Sequence, residues 1–278
     1  MPTRPILIAG NWKMNLGPKA TREFALTIRP LLSAASDVSH ALSKNGSALK
    51  SLVFVSDVSL STAKEAFAGT GIQIGAQNVH WEDQGAFTGE ISAPMIQELG
   101  IGWTLVGHSE RRQYFGETDQ TVKKRTEAHL KHGLQVVLCI GETKAERETN
   151  NTEAVLKRQL ENGLPDLAAL TLKQPIYQCL FIAYEPVWAI GTGLTATPEQ
   201  AEEAHTFTRM FLAKHYGEDI ASKMLILYGG SVTPENIQSL LAQPNVDGGL
   251  VGGASIKPAS YLSLLQAGAK AISATLQP

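Results

Sequence analysis

Eight short apolar runs recur along the chain: PILIAG, LVFVS, IQIGA, WTLVG, QVVLCIG, CLFIAY, MLILYG and GGLVGG. Most are continuous rather than alternating, the pattern of parallel strands covered on both faces. Helical patterns separate them. Lys19–Leu32 spaces Phe24, Ile28, Leu31 and Leu32 on one face, and Asp119–Lys131 stops at Gly133. Pro198–Tyr216 opens at Thr197-Pro198-Glu199, a cap followed by proline at the first helical position, and Pro234–Leu241 repeats that start with Thr233 as cap. Eight β-then-α units predict an α/β fold closed into a (β/α)8 barrel, one domain spanning 1–278. The competing topology is a doubly wound open sheet. Its usual glycine-rich turn after the first strand is replaced here by GNWKMN. Ser33–Lys50 is the one loose stretch, rich in Ser and Ala. It is either an extended helix end or a disordered loop, on the barrel face opposite the chemistry.

Composition narrows the partners. With 24 basic and 26 acidic residues the formal charge is -2, and no block of like charge suggests nucleic acid or an acidic membrane surface. A small anion remains open, because local N–H groups bind it rather than net charge. Cys139 and Cys179 sit in apolar runs without metal-ligand spacing and read as reduced core residues. No cofactor motif or metal triad is present. No run approaches the roughly 20 apolar residues of a membrane span, and the N-terminal run is short for a signal peptide. The expectation is a soluble cytoplasmic protein.

In such barrels the site lies at the C-terminal strand ends. After the first run come Asn11 and Lys13, two apart and on one side of an extended chain. They form either an amide and an ammonium facing one ligand, or a turn asparagine and a solvated lysine. After the fourth comes Gly107-His108-Ser109-Glu110-Arg111-Arg112, with a short helix starting at Ser109. A helix start beside His108 disfavours its protonation, and a neutral imidazole donates to a developing oxyanion. The plainer reading is a structural histidine. After the sixth, Glu185 stands where the apolar run breaks. Pro186-Val187-Trp188-Ala189-Ile190, Gly191-Thr192-Gly193 and Leu194-Thr195-Ala196 follow it. An acid under an apolar loop bounded by proline and glycines reads as a base beneath a movable cover, or else as a surface loop packed by its tryptophan. After the seventh and eighth come Tyr228-Gly229-Gly230-Ser231-Val232 and Val251-Gly252-Gly253-Ala254-Ser255, at the strands where barrels commonly hold phosphate. One carboxylate opposite one histidine, without a nucleophile, suits proton transfer next to a carbonyl.

GNWKMN, GAQNVHWEDQGAFTGEIS, GHSERR, FGET, CIGE, AYEPVWAIGTG, YGGSV and LVGGAS occur in this order over nearly the whole chain. In them the chain resembles the triosephosphate isomerase family. The resemblance implies interconversion of dihydroxyacetone phosphate and D-glyceraldehyde 3-phosphate through an enediol(ate), in glycolysis and gluconeogenesis, with no cofactor. It implies Glu185 as base, His108 as neutral electrophile, Lys13 as the stabilising cation and Asn11 as an orienting amide. Gly191, Ser231, Gly252 and Gly253 would bind phosphate, Pro186–Ala196 would form the lid, and Glu110 would position Lys13. A homodimer would form through the loop Gln77–Glu90, with Thr88 near the partner's Asn11 and Glu90 pairing the partner's Arg111. Two runner-up readings are an isomerase of a four-carbon ketose phosphate and an inactive binding barrel. Three departures stand out: Leu194 where many members carry lysine, Ser56-Asp57 where Pro-Pro is common, and the length of Ser33–Lys50.

Overall fold

All eight apolar runs form strands: β1 (Ile6–Asn11), β2 (Leu49–Val55), β3 (Ile72–Ala76), β4 (Trp103–Val106), β5 (Gln135–Ile140), β6 (Leu180–Tyr184), β7 (Ile226–Tyr228) and β8 (Gly248–Val251). They pair in chain order, all parallel, and Leu7 opposite Gly248 starts the register that joins β8 to β1 and closes the barrel. The structure, a computed structural model, describes residues 4–43, 48–190 and 195–275.

Helices follow the strands: α1 (Pro18–Ala34), α2 (Ser36–Ser43), α3 (Leu60–Ala66), α4 (Ala93–Glu98), α5 (Ser109–Tyr114), α6 (Asp119–Lys131), α7 (Lys144–Glu148), α8 (Thr152–Gly163), α9 (Pro198–Tyr216), α10 (Glu218–Ala221), α11 (Ile237–Leu241) and α12 (Pro258–Thr275). None among the described residues is long and apolar enough to cross a membrane.

Strand parity builds two cores. Leu7, Ala9, Leu52, Phe54, Leu105, Val137, Phe181, Ala183, Leu227 and Leu250 fill the barrel interior. Their neighbours, among them Ile8, Val53, Leu138, Ile182 and Tyr228, pack outward with the helices. Continuing the inward series places Asn11 after Leu7 and Ala9, and Glu185 after Phe181 and Ala183. The barrel's own alternation therefore aims these two polar side chains into its mouth.

Two local expectations change. Ser33–Lys50 is neither an extended α1 nor simply a loop. α1 ends at Ala34, and α2 follows at once with Val38 fully buried. Its residues 44–47 lie outside the described residues. Pro234–Leu241 becomes helical only at Ile237, because the Asn236 side chain first accepts the Thr233 N–H at 2.9 Å and closes a turn. Ser56-Asp57 opens a single 3-10 turn, Asp57–Ser59. Both cysteines are free and buried.

Candidate active site

Glu185 and His108 meet at the centre of the barrel mouth, 2 % and 5 % exposed. His108 Nε2 lies 3.0 Å from Glu185 Oε1, and the Ser109 N–H donates to Glu185 Oε2 at 3.0 Å. Two strands set this meeting. β6 points Glu185 inward by parity, while β4 turns at Gly107 (φ +74°) and presents His108 as the N-cap of α5. Gly229, after β7, leaves the space Glu185 occupies: a Cβ there would stand 2.8 Å from Glu185 Cγ.

The tautomer of His108 follows from its other nitrogen. Nδ1 accepts the Glu110 N–H at 3.2 Å, so it carries no proton, and a neutral ring has its hydrogen on Nε2 toward Glu185. The helix start therefore favours the neutral ring, as its sequence position implies. The carboxylate opposes it. Burial lowers the His108 pKa, but Glu185 beside it, with Glu110, raises it overall while Glu185 rests there. For Glu185, burial favours the acid form, yet His108, the Ser109 N–H and Lys13 together hold its pKa below the ordinary carboxylate value. Glu185 is thus kept ionised inside the protein.

Lys13 arrives by a different route from the extended chain its spacing with Asn11 implies. β1 ends at Asn11, and Lys13 adopts φ +52°, a conformation that costs a non-glycine residue about 1–3 kcal/mol. Its environment holds it there. The Lys13 N–H donates to Asn11 Oδ1 at 3.0 Å, its carbonyl accepts Gln77 Nε2 at 2.8 Å, and Nζ reaches Glu110 Oε1 at 2.5 Å. Both side chains line one cavity all the same.

That cavity, about 350 Å³, is lined by Asn11, Lys13, His108, Glu185, Ser231, Gly252 and Gly253, with Gly229 and Gly230. Glu185 and His108 form its polar wall. The glycine loops of β7 and β8 form an end where backbone N–H groups can meet an anion. Leu250 and Val232, not singled out in the sequence, add apolar wall. A larger cleft of about 790 Å³ lies on the far side of Glu185 and contains neither Lys13 nor His108. The smaller cavity therefore holds the constellation. No group of three or more His, Cys, Asp or Glu placed to hold a metal occurs among the described residues.

The loop after Glu185 begins with Pro186 and a 3-10 turn, Val187–Ala189. Trp188 Nε1 donates to Glu142 Oε1 at 2.9 Å, Tyr184 OH donates to the same oxygen at 3.1 Å, and Arg147 stacks over the indole at 5.1 Å. Glu142, fully buried, was not picked out from the sequence, although it stands after β5 in CIGE, where an acid follows an apolar run. Ile190 reaches the cavity, Thr195 is exposed and Ala196 buried. Gly191, Thr192, Gly193 and Leu194 lie outside the described residues.

The sequence-singled surface residues gather beside this cavity. A groove of about 460 Å³ is lined by Met14, Asp57, Gln77, Glu90, Arg111 and Phe115, and shares Asn11 and Lys13 with the site. Gln77 spends its amide within its own chain, on Lys13 O and on Phe54 O at 3.1 Å. Arg111 Nε reaches Glu117 Oε1 at 3.3 Å, Glu90 accepts from Asn78 at 3.2 Å, and Thr88 is exposed.

Fold and site together define a class: a (β/α)8 barrel with a carboxylate–imidazole pair at its strand C-termini, sharing one glycine-lined cavity with a lysine. Comparison with known proteins narrows it. The family model described as Triosephosphate isomerase matches residues 6–268. The chain is 45 % identical over 263 residues to the triosephosphate isomerase of Trichlorobacter lovleyi, covering 95 % of this chain and 98 % of that protein. It is 45 % identical to that of Solibacter usitatus (94 % and 99 % covered) and 46 % identical to that of Geotalea uraniireducens (95 % and 98 % covered). The chain belongs to the triosephosphate isomerase family.

Proposed function

We propose that this chain interconverts dihydroxyacetone phosphate and D-glyceraldehyde 3-phosphate, an aldose–ketose isomerisation of glycolysis and gluconeogenesis. The observation that carries the reading is the ionised Glu185 held 3.0 Å from His108 on the wall of a cavity that also holds Lys13 and two glycine loops.

At rest, Glu185 spends its oxygens on His108 and the Ser109 N–H. A substrate carbonyl placed at His108 Nε2 takes over the imidazole's hydrogen bond and frees the carboxylate. Glu185 then removes the proton from the hydroxyl-bearing carbon beside the carbonyl. Charge moves onto oxygen, where the neutral imidazole and the Lys13 ammonium stabilise the enediolate, with Glu110 holding Lys13 in place. His108 serves the two enediol oxygens in turn, and Glu185 returns its proton to the neighbouring carbon. Asn11 orients the substrate. Backbone N–H groups of Ser231, Gly252, Gly253 and Gly191 bind the phosphate. Pro186–Ala196 closes over the intermediate and excludes water, which retards loss of phosphate.

The same reading takes 1–278 as one domain acting in the cytoplasm as a homodimer. Support for the dimer comes from the groove beside the site and from the exposed apolar residues Met14, Phe87 and Phe115 nearby, 96 %, 41 % and 68 % accessible. The partner's loop Gln77–Glu90 would fill that groove, bringing Thr88 to Asn11 and Glu90 to Arg111.

The test is a coupled assay with glyceraldehyde 3-phosphate, run beside erythrulose phosphates. Turnover of the triose is expected to dominate. No turnover at micromolar enzyme would select the inactive barrel, and faster turnover of the four-carbon substrate would select the other isomerase.

A further inference from the structure

Ser255 lies fully buried in the turn Gly253–Ile256 that follows β8. Its N–H donates to Gly252 O at 2.8 Å, and its hydroxyl reaches the same oxygen at 2.7 Å and Val251 O at 2.9 Å. Its own carbonyl accepts Trp12 Nε1 at 3.1 Å. Gly10 leaves it room, since a Cβ there would stand 2.9 Å from Ser255 Cβ. One serine therefore touches the turn after β1 and the turn after β8.

The consequence follows from peptide geometry. Gly252 C=O and Gly253 N–H belong to one planar trans unit and point in opposite directions. Two donors from Ser255 hold the carbonyl on the buried side. The Gly253 N–H is then turned away from the Gly252 carbonyl, and both glycines line the cavity. The other contact runs through Trp12, which stands between Asn11 and Lys13. The anion end of the cavity and its cation are thus tied through a single residue, whose hydroxyl and N–H hold the β8 turn and whose carbonyl holds Trp12.

We propose that Ser255 is a positioning residue for phosphate: it aims the Gly253 N–H and fixes that loop relative to Lys13. This rests on the reading that the β7 and β8 loops bind the substrate's phosphate. A merely structural serine would affect stability alone. A brace acts on anion binding, so its loss weakens inorganic phosphate and raises KM together.

Ser255→Ala, Trp12→Phe and the double variant separate these roles. The probes are inorganic phosphate as a competitive inhibitor and steady-state kinetics with glyceraldehyde 3-phosphate, with thermal unfolding alongside. Ser255→Ala is expected to raise the phosphate inhibition constant and KM by about five- to tenfold, the scale of one neutral hydrogen bond. The double variant is expected to lose no more than the larger single change, as members of one brace do. A phosphate constant within about twofold of wild type, whatever the melting temperature does, overturns the proposal alone. A wild type that neither turns over triose nor binds phosphate overturns it together with the functional reading. If Ser255→Ala does not fold, Trp12→Phe decides: a rise of about threefold or more in the phosphate constant supports the brace, and no rise refutes it.

Discussion

Lys13 and Glu185 reach the same cavity by opposite means. Glu185 is placed by its own strand, the third inward residue after Phe181 and Ala183, so its direction is readable from the sequence. Lys13 sits at φ +52° and is held by Gln77 and Glu110, residues 64 and 97 positions away. Of its supports only the Asn11 side chain is local, and the two-residue spacing gives the correct neighbour for the wrong reason. Lys13→Met keeps length and removes the ammonium. Its kcat/KM is expected to fall on the order of 10²–10³-fold, the usual loss for a donor aimed at developing charge. A fall under about tenfold would remove Lys13 from the reaction. The lowered Glu185 pKa sets a pH dependence. A base held ionised loses activity only when pH falls through its folded pKa, below its ordinary 4.5. In kcat/KM, which reports the free enzyme, the acid limb that remains once the substrate phosphate's own ionisation near 6 is divided out is expected to be that of His108, which must be neutral to donate and whose pKa is raised while Glu185 rests beside it, with no second limb from Glu185 above pH 5. A second enzyme-borne acid limb between that step and pH 5 would contradict it.

At the scale of elements, the strand ends act as paired supports. β7 contributes a glycine where Glu185 Cγ needs room, so Gly229→Ala is expected to displace the carboxylate and cut kcat on the order of 10²-fold, since about 1 Å of misplacement carries that loss. A melting temperature near wild type would accompany it if the effect is local; unchanged kcat would show that Glu185 tolerates the methyl group. The loop after β6 starts from a buried anchor, with Glu142 accepting from both Trp188 and Tyr184. Replacing Val187–Ile190 by Gly and Ser removes the indole and the apolar cover. Methylglyoxal, the product of phosphate loss from the enediolate, is expected to rise relative to isomerisation, and an unchanged product ratio would count against a lid. All eight strands were legible because most contain a continuous apolar run, and even IQIGA is broken only at Gln73. α2 was not: SDVSHALS offers one turn of periodicity, and its partners β2 and α12 include a helix more than 200 residues later. Glu142 was equally hidden, since only the fold brings it under Trp188.

The molecule as a whole carries buried histidines unrelated to the site. His129, between Thr104 and Val79 O, is pushed down to about 3 by burial and by Arg125, and His205 is pushed down to about 4 by burial. Both titrate near 6.5 when unfolded. Their neutral forms favour the fold fully above that value, and stability falls as pH drops from about 6.5 toward 4. Each histidine then costs up to about 1.4 kcal/mol per pH unit. Thermal unfolding at pH 7.5 and 5 is expected to differ less for the Thr104→Val/His129→Leu pair than for wild type, and equal differences would place the pH sensitivity elsewhere. Assembly belongs to this scale too. Thr88→Arg puts charge and bulk on the loop that would enter the partner, so sizing at micromolar concentration is expected to give monomer and the assay a lower kcat. Unchanged size and rate would move the interface off this loop. The central claim, however, is that one carboxylate performs the proton transfer. Glu185→Asp keeps the acid and withdraws it by one methylene. In the coupled assay with glyceraldehyde 3-phosphate, turnover is expected to fall on the order of 10²-fold or more, and near wild-type turnover would mean that Glu185 is not the base.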